Sequence, residues 1–408
     1  MFLLLLLFAV GFSLELSLSD AIELALKNNR VLKKLERELK SATFRKDLAV
    51  FERFSPELDL RASKDRLETV ARILLIEFGK RAHKIKAEEI RRQIAQITLE
   101  EFKSQLKIEV AKLYTDILIY DILAQEKREF MAVAFVRFDR EREKLRLGLS
   151  DRVKVSQLER TYRMYRAQLF EIQRKYNETL YKLKRYLGID MKEDIILKPL
   201  DFSVPENESL DESELLKHIK DNYRLRIKEK EIAYYKELEE GEGTLYKPEV
   251  VLEGRLGRDF DGKENYAKVN AYIRLPLFDP KVRLRRKILK EKRLSLIREY
   301  EEIKSEIEEK IYTFPYIWDE YLEKYKYAKT NMEWAEGNLD LKRSEYELQL
   351  AFDLGYAMAY YTQAERQLLE SKVRILLFLM EVYHTIGKDP IQALKGTHFF
   401  MKKRVQVQ

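Results

Sequence analysis

One order of segments occurs twice in this chain, and that duplication limits what it can fold into more than any single motif does. Each copy has a short amphipathic helical stretch, two alternating segments joined by a turn, and then two very long charged helical runs. The first copy opens with LSLSDAIELALKNNRVLKKLERELKSA (Leu16 to Ala42) and the second with SLDESELLKHIKDNYRLRIKEKEIAYY (Ser209 to Tyr235). Asn29 and Asn222 stand near the ends of the first helical stretches, and Pro56 and Pro248 open the next segments. A period this long marks a duplicated domain rather than a solenoid module.

The helical runs set the class. Charged residues make up 36% and apolar residues 45% of the chain, with only 13 Gly and 8 Pro, a balance that suits long helices and argues against disorder. The 78 basic and 70 acidic residues interleave, so most read as i,i+4 pairs on solvated faces rather than as a surface for nucleic acid. The one concentrated basic block is Met401 to Arg404. From Gly79 to about Arg146 no Pro or Gly interrupts the pattern, and Val110, Leu113, Tyr114, Ile117 and Ala124 keep one apolar stripe. Such a helix is ~100 Å long at about 1.5 Å per residue, too long for a compact globule. Gly148 ends it, Ser150 or Asp151 caps its return, and the return ends near Leu187–Gly188.

Between the helices the period changes to two. In PELDLRAS, Leu58, Leu60 and Ala62 alternate with Glu57, Asp59 and Arg61. TVARILLIEF (Thr69 to Phe78) reads as its partner strand, with a buried helical turn as the competing reading. In the second copy KPEVVLEGRLG and YAKVNAYIRLPLF alternate on either side of a turn containing Asp261–Gly262, which predicts a hairpin. Each hairpin has one apolar and one charged face over ~10 residues, the length of a tilted strand crossing a bilayer. Open edges are not tolerated in lipid, so several chains are expected to pool strands into one closed barrel.

The expected organisation is a signal peptide at 1–13, a first repeat at 14–188, a linker at 189–211, a second repeat at 212–387 and a tail at 388–408. The first repeat holds strands at 56–63 and 69–78 and a helical hairpin at 80–187. The second holds strands at 248–257 and 266–276 and a hairpin at 281–386, in which Pro315 predicts a kink. Ser19 is the expected cap of one helix reaching about Phe54. The apolar run Phe2 to Val10, followed by small residues, reads as a secretory signal; a buried N-terminal strand is the alternative. No other run approaches the ~20 apolar residues of a membrane-spanning helix.

These residues carry a family resemblance over nearly the whole chain. LSLSDAIELALKNNRVLKK, PELDLRAS, LLIEFGKR, REKLRLGLSDRVKVSQLE, KRYLGID, KPEVVLEGRLG and above all YIRLPLFDPKVR (Tyr272 to Arg283) resemble TolC-like outer-membrane efflux proteins. The resemblance implies a mainly α fold with a small β part. It implies a homotrimer whose protomers each give four strands to a twelve-stranded barrel in outer-membrane lipid and their helices to a periplasmic tunnel. An equatorial region of irregular structure would come from the linker, the tail and the helix near Pro315. It further implies a passive exit duct of a tripartite efflux or type I secretion system, working with a periplasmic adaptor and an inner-membrane transporter. The alternative is a periplasmic coiled-coil adaptor or scaffold with no membrane barrel.

In that family the hairpin tips close the channel and meet the adaptor. Here they are Gly148, Leu149, Ser150, Asp151 and Arg152, and Phe352, Asp353, Leu354, Gly355 and Tyr356. Asp151 is either a member of a gating polar network or a plain helix cap. Tyr360 or Tyr361 and Gln363 or Ala364 stand where the family carries an acidic ring, so an aromatic or polar constriction is expected instead. The expected barrel lumen residues are Glu57, Asp59, Arg61, Glu253, Arg255, Lys268, Asn270 and Arg274; their mixed signs suit a wet, weakly selective duct. Catalysis, cofactors and nucleic-acid binding are not expected. Cys is absent, no phosphate-binding loop occurs, and His83, His218, His384 and His398 lack ligand spacing in sequence, so no metal site is expected.

Overall fold

A computed structural model of the chain describes residues 14–52, 56–77, 80–242, 249–260, 264–275, 280–348, 354–396 and 398–403. In chain order the elements are β1 (Leu14–Leu16), α1 (Leu18–Asn28), α2 (Arg30–Phe51), β2 (Glu57–Ala62), β3 (Arg66–Glu77), α3 (Lys80–Arg146), α4 (Arg152–Leu187), β4 (Ile195–Leu197) and β5 (Glu208–Leu210). There follow α5 (Glu212–Lys217), α6 (Tyr223–Glu242), β6 (Glu249–Asp259), β7 (Asn265–Arg274), α7 (Pro280–Glu347), α8 (Leu354–Thr385) and β8 (Met401–Lys403). No helix among the described residues is long and apolar enough to cross a membrane. The expected signal segment, Pro248, Asp261–Gly262, the LPLF junction after Leu275, Phe352 and Asp353 lie outside the described residues.

The twin asparagines explain why each copy begins with two helices. The single helix expected from Ser19 to Phe54 is two helices, α1 and α2, and Asn29 is the joint. Its backbone is extended (ψ 126°), and its side chain accepts from the amides of Val31 (2.9 Å) and Leu32 (3.1 Å), capping α2. Asn222 repeats this before α6, accepting from Arg224 (2.9 Å) and Leu225 (3.3 Å). Both asparagines are buried, so their oxygens satisfy helix amides that water does not reach. The cap of α1 is Ser17, not Ser19. Ser17 and Asp20 form a reciprocal capping box, which Ser19 could not do with Ile22 at its third following position.

The chain divides into two compact units. The first comprises residues up to Leu32, Lys103–Ile219 and Glu309 onward. Its core takes the expected α3 stripe: Val110, Leu113, Tyr114 and Ile117 are buried. The Tyr114 hydroxyl donates to the carbonyls of Leu16 (2.9 Å) and Lys198 (2.6 Å), tying β1 and the residue after β4 to α3. The stretch expected to be an irregular linker contains two short strands. β4 pairs in parallel with β1, and β5 pairs antiparallel with β8 of the tail. Trp318 anchors the latter pair: it is fully buried, packs on Phe378 and donates its indole N–H to the Glu208 carbonyl (2.9 Å). α7 continues through Pro315, three residues before that Trp.

The second unit comprises Lys33–Phe102 and Lys220–Glu308. It holds the four-stranded sheet, ordered β2-β3-β6-β7 and antiparallel throughout. The two hairpins join through β3 and β6, so the two copies make one sheet and leave β2 and β7 as its edges. β3 begins at Arg66, three residues earlier than the expected start, and a bulge interrupts its register with β6 between Leu74 and Ile76. Ion pairs cross-link the helices of this unit: Lys46–Glu89 (3.3 Å), Lys228–Glu299 (3.0 Å) and Arg293–Glu239 (3.0 Å).

Candidate functional site

The register sorts the sheet into two chemically different faces. Leu58, Leu60 and Ala62 pair with Ala71, Thr69 and Leu67, which pair in turn with Gly254, Leu256 and Arg258. Across β7 the same face carries Ala267, Val269, Ala271 and Ile273. This apolar face is bare, with Leu60 71%, Leu256 63% and Val269 75% exposed. A contiguous exposed apolar surface of this kind marks an interaction surface, for another protein or for hydrocarbon.

The opposite face carries the expected lumen residues. Glu57, Asp59 and Arg61 lie beside Arg72, Val70 and Glu68 of β3. Next come Glu253 and Arg255 of β6, then Asn270 and Lys268 of β7, with Arg274 opposite Glu249. All eight expected residues thus sit on this face, and five of them, Asp59, Arg61, Glu253, Arg255 and Arg274, are held in ion pairs. Glu253 accepts from both Arg72 and Arg255 (2.6 Å each) and is only 3% exposed. Asp59 faces Arg61 (3.5 Å) and Arg72 (3.8 Å), and Arg274 reaches Glu249 (3.4 Å). Near the β6–β7 turn Tyr266 lies over Gly257 and donates to Glu68 (3.0 Å); a Cβ on Gly257 would sit 2.7 Å from that ring. Arg72 and Glu68, central to these networks, belong to the strand whose alternation is hardest to read in sequence.

In the first unit the α3–α4 turn is fixed by its own chemistry. Gly148 adopts φ 75°, and the amides of Gly148 and Leu149 return to the carbonyls of Leu145 (3.0 Å) and Lys144 (2.8 Å). Asp151 caps α4, its side chain accepting from the Lys154 amide (2.8 Å). The polar network here centres instead on Glu141, which sequence spacing does not reveal. Its carboxylate takes the Ser150 hydroxyl (2.6 Å) and the Lys154 ammonium (2.9 Å). Those two hydrogen bonds, Ser150 first, hold its pKa down to about 2. Leu149 and Arg152 are exposed beside it.

At the start of α8, Gly355 lies against α3: a Cβ there would meet Val133 Cγ2 at 2.6 Å. Tyr356 and Tyr360 join Phe130 and Tyr165 in an aromatic cluster, with Phe130 stacked on Tyr165 at 5.3 Å and edge-on to Tyr360 at 5.7 Å. Arg137 lies over Tyr356 at 4.3 Å. Tyr356 and Tyr360 therefore pack within the protomer, Tyr360 keeping one exposed side, and Gln363 is half-buried. One turn further along α8, Arg366 bridges Glu126 of α3 and Glu370 (2.6 Å each), a buried link that neither sequence neighbourhood signals.

No protein-family model matches the chain, and no curated protein matches its sequence. Solved structures do. The CmeC outer membrane channel of Campylobacter jejuni is similar over 94% of this chain and 90% of its own, with 13% identity and a TM-score of 0.75. The outer membrane protein VceC of Vibrio cholerae is similar over 91% of this chain and 96% of its own, with 15% identity and a TM-score of 0.68. A membrane protein of Pseudomonas aeruginosa covers 91% and 93%, with 16% identity and a TM-score of 0.71. The chain thus has the TolC-like fold that the resemblance implied. Its barrel is not closed within one chain, since β2 and β7 are both edges.

Proposed function

We propose that this chain is one stave set of a trimeric outer-membrane exit duct, through which small molecules or proteins leave the cell passively. The observation that carries the reading is the four-stranded sheet with a bare apolar face, a charged opposite face and two free edges. Unpaired edges in lipid cost several kcal/mol per group, so closure with other copies is obligatory. Three copies, twelve strands in all, are what the resemblance to TolC-like proteins implies; eight strands from two copies would enclose an interior that side chains or one small ligand fill.

The apolar face meets the acyl chains, and the Arg72–Glu253–Arg255 network lines water. Mutual pairing of these charges leaves no strong field of one sign, which favours a permissive duct over an ion filter. The turns at Gly148–Arg152 and around Gly355–Tyr360 are the proposed adaptor contact and gate. With no phosphate-binding loop in the sequence, the driving force is assigned to an inner-membrane transporter docked through a periplasmic adaptor. The cargo class, and so the choice between efflux and type I secretion, rests on those partners. The reading is tested by reconstituting the detergent-purified protein into planar bilayers. Stable conductance from trimeric particles supports it, and a protein that partitions into the aqueous fraction as a monomer refutes it.

A further inference from the structure

Among the described residues one cluster brings together metal-ligating side chains that lie far apart in the sequence. His83, in the first turn of α3, meets Glu237 and Glu240 in the last turns of α6. Its Nδ1 lies 2.7 Å from Glu237 Oε2 and 3.8 Å from Glu240 Oε2, and the three atoms lie within 4.8 Å of one another. Glu237 and Glu240 are three apart on one helix, which puts both carboxylates on the face turned to the His. Gly241, one turn after Glu237, lets the helices approach: a Cβ there would sit 3.3 Å from His83 Cβ.

We propose that His83, Glu237 and Glu240 form a binding site for a transition-metal dication of the zinc type, clipping α6 to α3. Zinc holds imidazole nitrogen and carboxylate oxygen at about 2.0–2.2 Å, which places tetrahedral ligand atoms about 3.4 Å apart. The observed 2.7 Å and 3.8 Å straddle that spacing, so small side-chain rotations suffice. The ion replaces the proton that Nδ1 now shares with Glu237; in the neutral ring that proton moves to Nε2. One neutral imidazole and two carboxylates give a site of net charge −2, matched to a dication. The imidazole selects zinc, cobalt or nickel over magnesium and calcium, which prefer all-oxygen sites. The remaining coordination is left to water, which reaches the site through an adjoining cavity of about 550 Å³ lined by Glu237, Gly241 and Lys84. Among the basic side chains nearby, Lys236 reaches Glu240 only at 4.0 Å and is exposed, and Lys84, on the cavity wall with Lys80, Arg81 and Arg285, is paired with Glu52.

The clip lies where the helices adjoin the sheet in sequence, since α3 follows β3 and α6 precedes β6. A bound ion therefore stabilises the native state in proportion to its occupancy, whether or not the protein conducts. The test uses untagged, chelator-treated full-length protein in detergent, titrated with zinc chloride by calorimetry and followed by thermal melting. One zinc per chain and a raised Tm are expected, with no comparable effect of magnesium or calcium. His83→Ala and Glu237→Gln should each weaken zinc binding by about tenfold or more, and cobalt should give the visible absorption of a low-coordinate nitrogen–oxygen site in the parent protein alone. His83→Gln, which can still hydrogen-bond to Glu237, provides a folded variant should His83→Ala unfold. Absence of zinc binding overturns the proposal, as does binding of equal affinity in the parent and His83→Gln proteins.

Discussion

Acidification below pH 6.5 should release the C-terminal strand through a single side chain, His398. Its ring is 6% exposed, lies 5.7 Å from Phe400, and places Nδ1 3.0 Å from the Tyr383 hydroxyl, while Nε2 has no partner among the described residues. Burial pushes its pKa from 6.5 down to about 4, so the folded state holds the ring neutral. Because the folded value is depressed, the stabilisation is complete above pH 6.5, is lost as pH falls toward about 4, and is flat below that. The gap of ~2.5 pH units corresponds to at most about 3 kcal/mol, and less once water from the neighbouring cavity solvates the imidazolium. Asp211 and His384 are neighbouring groups whose protonation is also shifted. Hydrogen bonds to Lys402, then Ser213, hold Asp211 below its ordinary range, so the Asp211–Lys402 pair persists through this interval. His384 also has its pKa lowered by burial, but it sits against Ser104 rather than the tail, and His384→Asn serves as the control. Trp318 reports the event because its indole bonds to Glu208, whose strand pairs with β8. In a Trp334→Phe background, Trp318 emission should shift to the red between about pH 6.5 and 4 in the parent, and markedly less in His398→Phe. The same pH profile in both proteins, or a transition confined below pH 4, would refute the reasoning.

Three further outcomes follow from single sites. Leu60→Arg places a cation on the lipid-side face and should cost about 2–4 kcal/mol near the bilayer midplane, seen as loss of outer-membrane assembly; Asn270→Ser on the opposite face should assemble normally. Gly188→Ala should lower Tm by the equivalent of about 1–2 kcal/mol, because φ is 68° and the new Cβ would lie 2.8 Å from Asn28 Cβ. Glu141→Gln should weaken amide-exchange protection over residues 147–154 while leaving the helix content by circular dichroism unchanged, since the fold of α3 and α4 does not depend on that carboxylate.

What could be read from the sequence was whatever repeats at short range. Alternation gave the strands and their two faces, because the pleat imposes a period of two on any half-buried strand. Gly148 and Asp151 marked the α3–α4 turn, because a left-handed residue and an N-cap leave local signatures. Ser17 carries such a signature too, through Asp20 three residues on, but Ser19 is of the same capping residue type and competes with it in sequence. Asn29 and Asn222 stood out as recurrent, but their action is forward, on the following helix, so they read as helix ends. The contacts that escaped were made by folding alone: Glu141 with Ser150 and Lys154, Glu126 with Arg366, His83 with Glu237. Nothing in a window of sequence pairs residues separated by 240 positions, as Glu126 and Arg366 are. β4 and β5 were missed for the same reason, since three-residue strands owe their existence to β1 and β8.

Edge pairing between copies is the measurement that bears most directly on the whole account. The chain has no native cysteine, so single Cys substitutions along β2 can be combined with single substitutions along β7 and oxidised in intact cells. Disulfides that link β2 of one chain to β7 of another, giving linear dimers and trimers and a closed trimer, are the expected result. β2–β7 disulfides formed within one chain, or a water-soluble monomer that forms none, would contradict a barrel assembled from three copies.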